Sequence, residues 1–121
     1  YFRGLSTLAL KGGEIITSVS MPTPEASNYK KFKHPASRFA LVGVFVAKYA
    51  DGVRVAGTGA SENGVFRWTE AEAALSANFS ADALADLSVD AADMIADLHG
   101  SKAYRANLVK VLTGRAVAAA N

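Results

Sequence analysis

The feature that most constrains this chain is the pair Asp51-Gly52, set between two runs rich in valine and aromatic residues, Phe39 to Ala50 and Val53 to Gly57. An Asp-Gly pair in that position is a strong hairpin signal, because both residues of the tight turn take positive φ. Two antiparallel strands are therefore expected. Upstream, Glu14 to Met21 alternates, with Ile15, Val19 and Met21 on one face and Glu14, Ser18 and Ser20 on the other, the pattern of a half-buried strand. Pro22 and Pro24 end it, since proline donates no ladder hydrogen bond. Tyr29 to Lys33 reads as a short extended piece, Gly57 to Gly64 as turn chemistry, and Val65 to Arg67 as one more brief extended piece.

At Thr69 the texture changes. Thr69-Glu70-Ala71-Glu72 has the form of a capping box, in which threonine and glutamate satisfy each other's orphan amides at a helix start. Ser80 and Ser88 each precede alanine-rich stretches with Leu84, Leu87, Met94, Ile95 and Leu98 at near-helical spacing, and Gly100 reads as a stop. Ser101 caps a last helix whose Tyr104, Leu108, Val111 and Leu112 fall on one apolar stripe, with Arg105 and Lys110 left outside. Strands first and helices after predicts an α+β fold, an antiparallel sheet of three to four strands followed by about three helices packed on one face.

A chain of 121 residues, 50% hydrophobic and 20% charged, has room for one domain of ordinary size. The net charge of +2 does not compel a polyanionic partner, so no nucleic acid is implied. Zero cysteines exclude disulfides, thiolate metal sites, iron–sulfur ligation and a thiol nucleophile from this segment. The longest apolar run, Phe39 to Ala47, is about half of the ~20 residues a membrane span needs. The chain opens Tyr1-Phe2-Arg3-Gly4 without methionine, which reads as a fragment of a longer chain or a processed product.

The candidate constellations are few. The glycines from Gly57 to Gly64 lack the Lys-Ser/Thr ending of a phosphate loop and the spacing of a dinucleotide fingerprint, so a connection accounts for them. His34 and His99, the only histidines, lie far apart in sequence with no ligand spacing around either, and no metal site is expected. No serine sits in a nucleophile motif, and the aspartates from Asp82 to Asp97 read as a solvated face, so no catalytic residue is assigned. The segment 29–38, with Tyr29, Lys30, Lys31, Phe32, Lys33, His34 and Arg38, fits two readings. It is a solvated edge strand guarded by lysine, or the surface of a stand-alone interaction or nucleic-acid-binding module that stacks bases on its aromatics. Ile16 lies on the otherwise polar face of its expected strand, which fits either a chance exposed side chain or contact with another domain or a flat apolar ligand.

An ordered set of short motifs then spans nearly the whole chain. It runs from Phe2-Arg3-Gly4, Ala9-Leu10 and Gly13-Glu14-Ile15-Ile16 through Met21-Pro22, Tyr29-x-Lys31-Phe32-Lys33 and Ala40-x-Val42-Gly43-Val44. It continues through Thr69-Glu70-Ala71-Glu72 to Tyr104-Arg105-x-x-Leu108-x-x-Val111-Leu112. The set resembles the C-terminal domain of the FAD-carrying medium subunit of molybdenum hydroxylases, the carbon monoxide dehydrogenase and xanthine dehydrogenase group. Residues 1–121 then correspond to a carbon monoxide dehydrogenase flavoprotein C-terminal-like domain, a fragment of a longer FAD subunit. The resemblance implies a cytoplasmic oxidoreductase in which the flavin relays electrons from 2Fe-2S clusters of a small subunit to an acceptor, while substrate is oxidised at the molybdenum cofactor of a large subunit. The FAD is bound mainly by preceding domains of the same chain, and the isolated domain is expected to be inactive.

Two cofactor-side residues carry over by position. Ile16 matches an aliphatic residue packed near the isoalloxazine, and Lys33 matches a lysine near its polar edge. A cation there stabilises the negative charge that a reduced flavin gains. Leu8 stands where threonine is more usual, and Arg38 where an aspartate often precedes Phe-Ala. The second departure reverses a charge on the expected flavin side, so potential and acceptor do not follow from the resemblance.

Overall fold

The computed structural model describes residues 2–4 and 7–120. A small antiparallel ribbon, β1 (Phe2–Gly4) with β2 (Thr7–Leu8), precedes the main sheet. That sheet is four antiparallel strands in sequence order, β3 (Ala26–Lys33), β4 (Ala40–Tyr49), β5 (Gly52–Ser61) and β6 (Gly64–Arg67). Helix α1 (Thr69–Ala77), a 3-10 turn (Ala81–Leu84) and helix α2 (Lys102–Ala118) follow, and the chain is an α+β protein as its element order predicts. No described helix is long and apolar enough to cross a membrane.

Register places Val44 opposite Gly57 and Val46 opposite Val55, so these residues share one face, and the three valines are fully buried there with Leu75 of α1 and Val109 of α2. β-branched side chains suit that pleated, covered surface. The opposite face carries Tyr29, Phe45 and Arg67 along one row of paired positions, with Tyr29 and Phe45 partly exposed.

The hairpin forms one residue earlier than expected. Tyr49 pairs with Gly52, so Ala50 and Asp51 make the turn, and only Gly52 takes positive φ (132°). Asp51 is instead held by an ion pair to Arg54 at 2.9 Å. β5 also runs on through Gly57 to Ser61, where turn chemistry was expected, and the turn falls at Glu62-Asn63. Glycines inside a strand here mark irregular pairing rather than its end, since the β5–β6 register shifts between Gly57 and Ser61.

The expected strand over 14–21 is absent. Residues 9–24 belong to no helix or strand, and Ile15, Ile16, Val19 and Met21 are 81%, 52%, 72% and 80% exposed. Alternation describes a strand only where a neighbouring strand pairs with it, and among the described residues none does.

The capping box is also replaced. Trp68 is the N-cap residue of α1, without a side-chain cap bond, and Thr69 lies one position inside the helix. Glu72 turns away from the helix end because β6 stops at Arg67 and the edge of β5 needs acceptors. The Val55 N–H donates to Glu72 Oε1 (2.9 Å) and the Val53 N–H to Ser76 Oγ (2.9 Å), so polar side chains of α1 continue the ladder that β6 leaves off.

The helix expected after Ser88 does not form. Residues 85–100 are turns and two isolated bridges. Aspartates capture the local backbone: the Ala92 N–H donates to Asp90 Oδ1 and the His99 N–H to Asp97 Oδ1, each at 2.9 Å, which offers the chain an alternative to helical bonds. Ser101 does cap as read, accepting from the Tyr104 N–H, and Ser80 accepts from the Asp82 N–H at the start of the 3-10 turn.

Candidate functional site

Arg105, read from spacing as solvent-facing, is 3% exposed and is the polar centre of one end of the sheet. α2 is rotated so that Arg105, Leu108, Val109, Leu112 and Thr113 point inward, while Tyr104 and Val111 remain partly exposed. The physical reason lies in two strand irregularities. Pairing of β3 with β4 passes from Phe32–Val42 to Lys33–Ala40, so Leu41 has no partner in β3, and Gly59 sits in the shifted stretch of β5. Arg105 Nη1 donates to the carbonyls of both, Leu41 at 2.8 Å and Gly59 at 3.0 Å, and Nη2 donates to Asp97 at 2.7 Å. The backbone N–H of His99, then the Arg105 guanidinium, hold the Asp97 carboxyl below the usual range.

At the β6–α1 junction, Arg67 Nε donates to Glu72 Oε1 at 2.6 Å. Burial pushes the Glu72 carboxyl up, but hydrogen bonds from Arg67 and Val55 N–H, with the charges of Arg67 and Arg54, outweigh it and leave it below the ordinary value. The same bond raises Arg67. Arg67 also borders a groove of about 620 Å³ on the open sheet face, together with Pro22, Thr23, Phe45, Tyr49 and Arg54. Both arginines of this groove already have carboxylate partners, so an anion finds no free guanidinium there.

The two cofactor-side candidates sit on separate elements, Ile16 in the unpaired entry segment and Lys33 at the end of β3. Neither lines the groove. Lys33 is exposed, and its ammonium has no hydrogen-bond or ion-pair partner among the described residues. Arg38, in the turn after β3, takes positive φ (64°), and its carbonyl accepts from Lys31 Nζ at 3.3 Å.

The basic and aromatic residues of 29–38 divide between the sheet's faces. Phe32 lies on the helix side, edge-on to Tyr104 at 6.4 Å between centroids, whereas Tyr29 lies with Phe45 on the other side. The two histidines, remote in sequence, meet with ring centroids 4.0 Å apart. Among the described residues no group of three or more possible ligands could hold a metal ion. Spacing offered no signal for the histidine pair or for Arg105. Gly59, a glycine within a β-rich stretch, was the one available hint of a bulge.

Comparison with protein-family models, curated proteins and solved structures returned no match to this chain.

Proposed function

We propose that this chain is the C-terminal domain of the flavin subunit of a molybdenum-containing oxidoreductase, and that it completes an FAD site held mainly by preceding domains of the same polypeptide. The observation that carries the reading is the entry segment. Four apolar side chains, Ile15, Ile16, Val19 and Met21, each stand more than half exposed on a stretch whose sequence alternates as a strand does. Such a run is costly to leave in water and suits a covering surface from another domain. Ile16 and the free ammonium of Lys33 fit the apolar face and the electron-rich edge of an isoalloxazine. When bound, FAD supplies the electron transfer. The chain's own part is to exclude water on the Ile16 side and to place a positive charge at Lys33. The partners in this reading are the 2Fe-2S small subunit and the molybdenum large subunit, assembled in the cytoplasm.

The test is to purify the full-length gene product. A yellow protein whose absorbance bleaches on reduction, and in which amides 14–21 exchange slowly, supports the reading. A full-length product that retains no flavin removes it.

A further inference from the structure

A second cleft, of about 300 Å³, opens where the junction of β6 and α1 meets the 88–94 loop. Backbone bonds fix that loop: the Glu62 N–H donates to the Asp93 carbonyl (2.9 Å), and Met94 bridges Ser61 at the end of β5. The junction is held by the Trp68 backbone N–H, which donates to the Val55 carbonyl (3.0 Å). Phe66, Trp68 and Met94 supply the apolar lining, with Trp68 and Met94 each 4% exposed. Glu70, Asp90 and Asp93 line the same cleft and are exposed, so their carboxylates form its rim. None of the three has an ion-pair partner among the described residues, and the indole N–H of buried Trp68 has no acceptor there.

We propose that this cleft binds a basic amino-acid residue, whose cationic head meets the carboxylate rim, whose aliphatic stem packs on Phe66 and Met94, and whose carbonyl accepts from the Trp68 indole. A buried donor without an acceptor is costly, and a ligand carbonyl removes that cost. Charge favours the cationic head, because the neighbouring protein cations are already committed. Arg67 is held by Glu72, and Lys102 by the Ala92 carbonyl (2.7 Å) and Glu62 (3.7 Å). Among the described residues no three possible ligands are placed to hold one metal ion. An extended organic cation spans a spread rim that a small ion does not. The volume stands at the low end for small-ligand sites, which suits one side chain with its carbonyl. Neither Ile16 nor Lys33 lines this cleft, and the site stands independently of the flavin reading.

Isothermal titration of the full-length gene product with L-argininamide, at about 0.15 M salt to screen diffuse attraction, tests it. A dissociation constant of about 1 mM or tighter is expected. L-citrullinamide, in which a neutral urea replaces the guanidinium, should bind at least about tenfold more weakly. Glu70→Gln combined with Asp93→Asn should weaken L-argininamide about tenfold, while Asp86→Asn, outside the cleft, should leave it unchanged. Tighter binding of acetyl-Gly-Arg-Gly-amide than of L-argininamide assigns the ligand to a protein chain, and the reverse order to a free amino-acid derivative. No binding of either arginine compound, equal binding of the arginine and citrulline amides, or affinity that the double variant retains overturns the site.

Discussion

At the scale of single residues, two glycines separate conformational from steric demand. Gly59 (φ 74°) and Gly64 (φ 89°) both occupy the left-handed region, but a Cβ on Gly59 would meet the carbonyl oxygens of Ala40 at 2.8 Å and Leu41 at 2.9 Å, while one on Gly64 meets nothing within 4 Å. Gly64→Ala should cost about 1 kcal/mol, and Gly59→Ala about 3 kcal/mol because backbone must also shift, as urea unfolding would measure. Arg105→Met leaves the Leu41 and Gly59 carbonyls without their donor and should cost about 3 kcal/mol in the same experiment. Lys33 is different, since its free ammonium contributes nothing visible to the fold. In the proposed flavin subunit a net electrostatic effect of about 1 kcal/mol would translate to roughly 20 mV for a two-electron couple. Lys33→Met should therefore lower the flavin midpoint by about that much, and Lys30→Met, on the helix-side face of β3, should leave it nearly unchanged. Equal potentials in all three proteins, by spectroelectrochemical titration, would detach Lys33 from the flavin.

At the scale of elements, α1 depends on the edge of β5. Glu72→Ala removes the acceptor of the Val55 N–H and should cost about 2 kcal/mol at neutral pH. The folded carboxyl is held low, so its contribution is complete above the ordinary glutamate range near ~4.3 and disappears as pH falls through the lower folded value. Urea titrations of wild type and Glu72→Gln should therefore converge as pH falls below the ordinary glutamate value. A gap that widens toward acid would show that Glu72 acts otherwise. The same hydrogen bond explains why the expected capping box did not cap, because an acceptor for a buried strand amide outweighs one for an exposed helix amide that water can satisfy.

For the whole molecule, one face of the sheet is sealed by helices, while the entry segment and the open face remain bare. In the proposed flavin subunit this chain covers only part of the ring and none of the pyrophosphate. The isolated 121 residues should then purify colourless and show no sub-micromolar FAD affinity by isothermal titration. Tight binding by the fragment alone would contradict a shared site.

Much of this architecture follows from local chemistry: valine-rich runs around Asp51-Gly52 make the central hairpin, the alanine-rich tail makes helix, and Ser80 and Ser101 start their turns because a hydroxyl reaches an orphan amide a few residues away. Those are short-range interactions, and the order of residues determines them. What only the tertiary structure decided involves partners remote in sequence. Arg105 turned inward to serve carbonyls left by bulges in β4 and β5, Glu72 left its helix end for Val55, and the entry segment stayed unpaired despite its alternation. The meeting of His34 with His99 belongs to the same class, since an imidazole carries no periodic signal of the ring it will touch. Periodicity reports which faces are apolar, whereas the satisfaction of individual buried polar groups depends on which backbone atoms the finished fold leaves without partners.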